Sequence, residues 1–184
     1  MKEDRIPVDA KGRPDLSHYT DPPEYYFGLI QQYVGTMAGR KGPGYEADLA
    51  FKRQVHGEWG LIAHGRAAIP YALRLLKDPV AEAKECGASI LAEVGGQPGV
   101  VEALLDALGD ADSDEARDAI ITTLGAMRSR RAIPVLAALI RSDETDGDTR
   151  WTAAESLGKI VRRRFDKTAD PIAAAQAWLS TRTF

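Results

Sequence analysis

Residues 99–125 read GVVEALLDALGDADSDEARDAIITTLG, and residues 132–158 read AIPVLAALIRSDETDGDTRWTAAESLG. Each is a short apolar run, an acid-rich turn, and a longer run that closes on Leu-Gly. The apolar positions recur at i, i+3 and i+4, the spacing of one helix face, and neither stretch sustains a period of two. Each stretch therefore codes a pair of helices. The closing glycine also recurs upstream: Ile62-Ala-His-Gly65, Ala92-Glu-Val-Gly95, Thr122-Thr-Leu-Gly125 and Glu155-Ser-Leu-Gly158 are spaced by 30, 30 and 33 residues. Repetition at that period marks stacked structural units.

After each glycine a new helix opens, at Ala68-Ile69-Pro70, Gly99-Val100-Val101 or Ala132-Ile133-Pro134. It ends in an acidic turn: Lys77-Asp78, Gly109-Asp110-Ala-Asp112 or Ser142-Asp143. The next helix carries Arg117-Asp-Ala119-Ile120 or Arg150-Trp-Thr-Ala153-Ala154. Small residues let paired helices approach closely, and the acidic turns supply N-caps. The recurring glycines are expected to be left-handed C-terminal caps. One pair cannot bury its apolar face alone, so consecutive pairs stack into a solenoid. Gly87 stands where later repeats hold Arg117 and Arg150. A glycine inside a helix costs about 1 kcal/mol against Ala, so a close helix contact or a slight kink is expected there.

This pattern resembles the HEAT-repeat family, specifically the short HEAT-like class of the phycobilisome-lyase type, over roughly residues 55–165. The resemblance implies an all-α, right-handed α-solenoid of stacked antiparallel helix pairs with N- and C-terminal capping helices. It also implies that the second helix of each pair, near 48–64, 79–94, 113–124 and 148–163, lines the concave face. The expected organisation is an extended or flexible lead over 1–20 and a single domain over 21–184. That domain holds a capping helix at 22–38, repeats over about 45–165, and a C-terminal capping helix at 170–181. The first helix is expected to bury Tyr26, Leu29, Ile30 and Tyr33, and Gly39–Gly44 reads as a loop. Leu49, Phe51, Val55, Trp59 and Ile62 share the next helix. Asp21-Pro22, Asp78-Pro79 and Asp170-Pro171 read as helix starts. Nine of the 13 aromatic residues lie at or before Tyr71, which suits an N-terminal cap. Ala174, Ala175, Trp178 and Leu179 share a face that would close the other end.

The charge total, 24 Lys and Arg against 27 Asp and Glu, gives no overall pull toward nucleic acid or anionic membrane. Its distribution is uneven: residues 65–127 hold 5 basic and 11 acidic groups, and 128–184 hold 11 and 7. A single cysteine, Cys86, excludes an intrachain disulfide and a multi-cysteine zinc site and points to a reducing, cytoplasmic setting. No leader-like or membrane-length apolar run occurs. Catalytic patterns fail on inspection. Asp110, Asp112 and Asp114 begin like a calcium loop, but Glu115 and Ile121 occupy its glycine and terminal glutamate positions. His56 and His64 lie about 12 Å apart along one helix, too far to share a metal. Neither glycine-rich stretch has P-loop spacing, and Cys86 reads as structural. The expectation is a non-enzyme with no cofactor and no metal.

Two binding features stand out. Trp151 falls off the core phase of its helix, beside Glu155 and Lys159. Its repeat equivalents are Asp118, Ala88 and Glu58; those of Glu155 are Thr122, Ala92 and Ile62. A strip of Trp151, Glu155, Asp118, Thr122, Glu58 and Lys159 suits a basic or mixed protein partner, with the indole as anchor. Alternatively, Trp151 packs under the longer turn of the neighbouring repeat. The second feature is Arg128, Arg130 and Arg131 with Arg162, Arg163 and Arg164. These either hold phosphates, as in the basic groove of HEAT-like DNA glycosylases, or answer helix C-terminal dipoles. The reading is a protein-binding module: by analogy a bacterial inhibitor of the immunity type, or an adaptor. Its rival is a nucleic-acid-associated protein, and no membrane role is expected.

Overall fold

A computed structural model describes residues 8–10, 12–39, 44–97 and 99–182, the side chains of 44–47 excepted. The chain divides into two compact units, residues 1–95 and 96–184. Both are helical, as expected; the one extended pairing among the described residues is the isolated bridge between Val8 and Pro14.

The first unit holds α1 (Pro23–Gly39), α2 (Gly44–Ala63), α3 (Ile69–Leu76) and α4 (Ala81–Val94). Helix α1 buries Tyr26, Phe27, Ile30, Tyr33 and Val34, while Leu29 is only half-buried. It lies along α2 at Gly57 and Gly60. A Cβ on Gly60 would stand 2.1 Å from the Tyr26 ring, and one on Gly57 would stand 2.5 Å from Ile30 Cγ1. The buried face of α2 therefore runs through Ala50, Gly57, Gly60 and Leu61. Phe51, placed on this helix by its spacing, is 60% exposed because it stands one residue, about 100° of helix, beyond Ala50. Of the expected Gly39–Gly44 loop, residues 40–43 lie outside the described residues; Gly39 ends α1 and Gly44 begins α2.

The lead also contributes. Asp15 caps a short helical turn over Leu16–His18 by accepting from the Ser17 N–H, and Tyr19 then enters the core at 7% exposure. Its ring stands edge-on to Tyr26 at 5.7 Å. Helix α4 meets α3 at Gly87, where a Cβ would stand 2.8 Å from the Ala72 carbonyl oxygen. The expected close contact is there. Asp78 does not cap α4; its carboxylate accepts from the Val80 N–H at 2.9 Å, shaping the turn ahead of the helix.

The second unit holds α5 (Val100–Gly109), α6 (Asp114–Ala126), α7 (Ile133–Arg141), α8 (Gly147–Val161) and α9 (Pro171–Ser180). Ser113, Asp146 and Asp170 cap α6, α8 and α9 with side-chain oxygens. Helix α6 packs on α5 and α8, while α9 packs on α7 and α8. Ile120, Leu124, Leu136, Ile140 and Leu157 form the fully buried centre. Helix α9 buries Ala175 and Leu179 and is fastened by two side-chain bonds to α7. The Gln176 amide donates to the Ile140 carbonyl at 3.0 Å, and the Arg141 guanidinium donates to the Leu179 carbonyl at 3.2 Å.

The repeat glycines divide into two kinds. Gly65 is left-handed, with φ of 54°. Gly95 is extended, and Gly96 beside it takes the positive φ. Gly125 and Gly158, expected as caps, lie inside their helices. A Cβ on Gly125 would stand 2.8 Å from Ser156 Cα, and one on Gly158 would stand 2.7 Å from the Arg163 carbonyl oxygen. Both are there for close approach, and the left-handed residues come later in the chain.

Candidate functional site

Helix α8 carries the site. It starts at Asp146, whose carboxylate accepts from the Thr149 N–H at 2.8 Å. Ala153, Ala154, Leu157 and Ile160 turn inward and are buried. The opposite phase is Trp151, Glu155 and Lys159, one residue per turn on one face. Trp151 is 43% exposed, so it does not pack under the neighbouring turn. Glu155 and Lys159 pair at 3.0 Å. Thr122 on α6 is exposed.

Asp118 is tied up. It accepts from the Thr149 hydroxyl at 3.0 Å and the Thr152 hydroxyl at 3.4 Å, fastening α6 to α8. Burial pushes its carboxyl above the ordinary range, opposed by the Thr149 bond.

The small-residue contacts, the capped helix starts and the α6–α8 packing are the internal form of a helical repeat. Residues 101–181 match the family model of HEAT repeats. That segment is HEAT repeat. No curated protein and no solved structure matches the chain. The HEAT segment takes in the Trp151 face and reaches through α9. HEAT repeats are commonly protein-interaction scaffolds.

The HEAT helices α6 and α8 end in an unusual way. Arg128 follows α6 with φ of 51° and Arg162 follows α8 with φ of 58°; these are the non-glycine residues at positive φ among the described residues. Each closes its helix by returning N–H groups to the last turn. Ser129 donates to the Leu124 carbonyl at 3.4 Å, and Arg163 donates to the Gly158 carbonyl at 2.8 Å. A left-handed backbone costs a side-chain-bearing residue about 1 kcal/mol, which glycine would avoid. Between the two helix ends opens a cavity of about 610 Å³. Its walls are Arg128, then Glu155, Gly158 and Lys159 of α8, then Arg162, Arg163, Arg164 and Asp166. The Arg164 guanidinium takes both Asp166 carboxylate oxygens, at 3.1 and 3.2 Å. Of the six arginines singled out by sequence, Arg128, Arg162, Arg163 and Arg164 therefore share one cavity. Arg130 is exposed outside it, and Arg131 pairs with Glu102.

Glu58 lies in the first unit, on α2. It accepts from Gln54 at 3.1 Å and from the Ser89 hydroxyl at 3.2 Å, joining α2 to α4. Burial raises its carboxyl above the ordinary 4.5, against the hydrogen bonds from Cys86, Gln54 and Ser89. Burial, and then the Glu58 charge, push the Cys86 thiol up as well, which is the setting of an inert cysteine. A raised carboxyl holds its proton more tightly when folded. The stability this contributes is present below the unfolded value and is lost as pH rises through the folded one. Glu58→Gln removes the titration and keeps the shape. It is expected to melt above the wild type at pH 7 and to lose that advantage at pH 4. Equal advantage at both pH values in paired thermal melts would exclude burial of charge as the cause.

His56 and His64 have separate partners, the Tyr19 hydroxyl at 3.5 Å and the Gly60 carbonyl at 2.7 Å. Among the described residues, no three His, Cys, Asp or Glu side chains are grouped to hold a metal. No described helix is long and apolar enough to cross a membrane.

Proposed function

We propose that the chain is a non-enzymatic protein-interaction module that holds a partner protein on the α6–α8 face, the concave side in HEAT repeats. The observation that carries this reading is Trp151. It is a large aromatic side chain, 43% exposed, standing on a rigid helix whose inward face is fully packed. Fixed aromatic side chains are preferred anchors because little conformational entropy is lost when they are covered. Glu155, Lys159 and Thr122 supply polar groups around it. Asp118 and Glu58 belong to the scaffold through their internal bonds. Inhibition of a partner in the manner of an immunity protein, or an adaptor role, is the narrower form of this proposal. A reducing cytoplasmic setting accords with the buried single thiol.

The test is a purified stoichiometric complex with the cognate partner. Trp151→Ala is expected to weaken it by about 2 kcal/mol, roughly thirtyfold in Kd, while thermal unfolding stays within about 0.5 kcal/mol of wild type. An unchanged affinity would remove this face from the interaction. A second reading, nucleic-acid association, draws on the four arginines at one cavity. A salt-dependent duplex complex abolished by Arg162→Glu with Arg163→Glu would favour it.

A further inference from the structure

We propose that the cavity between the ends of α6 and α8 is a receptor for an oxyanion on an acidic segment of the partner protein, a phosphate monoester or paired carboxylates. The inference rests on the protein-partner reading and adds a second contact to it. The charge arrangement carries it. Two acids line the cavity, and both are engaged: Glu155 by Lys159 at 3.0 Å, and Asp166 by Arg164 at 3.1 Å and Lys167 at 3.6 Å. Arg128, Arg162 and Arg163 line the same walls, and no acidic side chain among the described residues pairs with them. Three arginines lining one cavity without an acidic partner offer it guanidinium groups, whose forked N–H donors match an oxyanion.

The backbone points the same way. Attraction to a helix dipole accounts for a cation near each helix end. It does not account for arginine at the left-handed position itself, where glycine terminates a helix at lower cost. That expensive choice occurs at the ends of both α6 and α8, and both residues line one cavity. Strain held at two points of one site is a mark of function. Gly158 completes the geometry. Having no side chain, it lets the Arg163 carbonyl approach, so that residues 162–164 fold back over the end of α8.

A discrete acidic group fits better than a nucleic-acid strand. Residues 96–184 hold 12 Lys and Arg against 14 Asp and Glu, so this unit as a whole gives a long polyanion no net attraction. A partner covering Trp151 also lies within reach, since Lys159 stands eight residues, about 12 Å, further along α8.

The experiment titrates the full chain at 150 mM salt with three labelled probes: an Ala-phosphoSer-Ala-Ala peptide, an Ala-Glu-Glu-Ala peptide and a 20-base-pair duplex. Saturable 1:1 binding of either peptide is expected, weakened at least tenfold by Arg128→Ala with Arg162→Ala and Arg163→Ala. A phosphopeptide preference of tenfold or more identifies phosphate as the group read, and comparable affinities identify carboxylates; both support the site. Arg162→Gly guards against misfolding, because it removes the guanidinium while favouring the backbone. It should lose several-fold in affinity and melt no lower than wild type. Peptide binding that is absent, or indifferent to the triple replacement, overturns the proposal. Tighter duplex binding lost in the same variants also overturns it, in favour of nucleic acid. The cognate complex separates this inference from the broader one: dependence on Trp151 with indifference to the three arginines sinks the cavity alone, whereas peptide binding with indifference to Trp151 sinks the α8 anchor alone.

Discussion

Gly60→Ala lowers the stability of the first unit by about 3 kcal/mol, although alanine is the better helix former by about 1 kcal/mol. The added methyl would lie 2.1, 2.2 and 2.6 Å from Cδ1, Cγ and Cε1 of Tyr26. Those atoms lie near the root of the side chain and cannot swing clear. The ring is 3% exposed and enclosed by Tyr19 at 5.7 Å, Tyr25 at 5.2 Å and His64 at 5.7 Å. Its hydroxyl accepts from the Asp21 N–H at 3.1 Å. Relief therefore requires α1 and α2 to separate, which also loosens Ile30 against Gly57. Gly28→Ala is the control, since nothing lies within 4 Å of a Cβ there. It should raise the melting temperature by the propensity alone. The same substitution thus carries opposite signs on two neighbouring helices, and a Gly60→Ala protein as stable as wild type would contradict the packing described.

Leu157→Ala is the corresponding change in the second unit. Leu157 is fully buried on α8, on the helix that α6, α7 and α9 all pack against. Removing its branched end leaves a cavity that surrounding helices fill only in part, at a cost of about 3 kcal/mol. At 2–4 °C per kcal/mol for a chain of this size, that is a fall of roughly 6–12 °C. Trp151→Ala, six residues earlier on the same helix, is expected to leave the melt nearly unchanged. Calorimetry on the pair separates a core position from a surface one. If Leu157→Ala melted like Trp151→Ala, the assignment of the α8 faces would be reversed.

The helical content, the repeat period and the phase of α8 were legible because each is written locally in the order of apolar residues. Gly87 was legible for a related reason: a glycine where the other repeats hold arginine has little local use, and close packing explains it. Gly125 and Gly158 misled because Leu-Gly at the end of an apolar run has the appearance of a cap. What distinguishes a capping glycine from a packing one is the atom that stands against it, Ser156 of α8 for Gly125 and the carbonyl of the returning Arg163 for Gly158, which the Leu-Gly pattern does not encode. Asp118 and Glu58 were read as surface acids for the same reason, since their partners Thr149 and Ser89 are each 31 residues away. The arginine clusters were visible as composition. Their convergence was not, because arginine carries no tendency toward the left-handed backbone that folds Arg128 and Arg162 back over their helix ends.

Those two helix ends also bear on how the gene can change. Every arginine codon is a single base change from a glycine codon, and at residues 128 and 162 that change relieves the backbone. Mutational drift therefore has a short route to a more stable chain at both positions. Under the proposed role of the guanidinium groups, that route is closed only by the loss of what they bind.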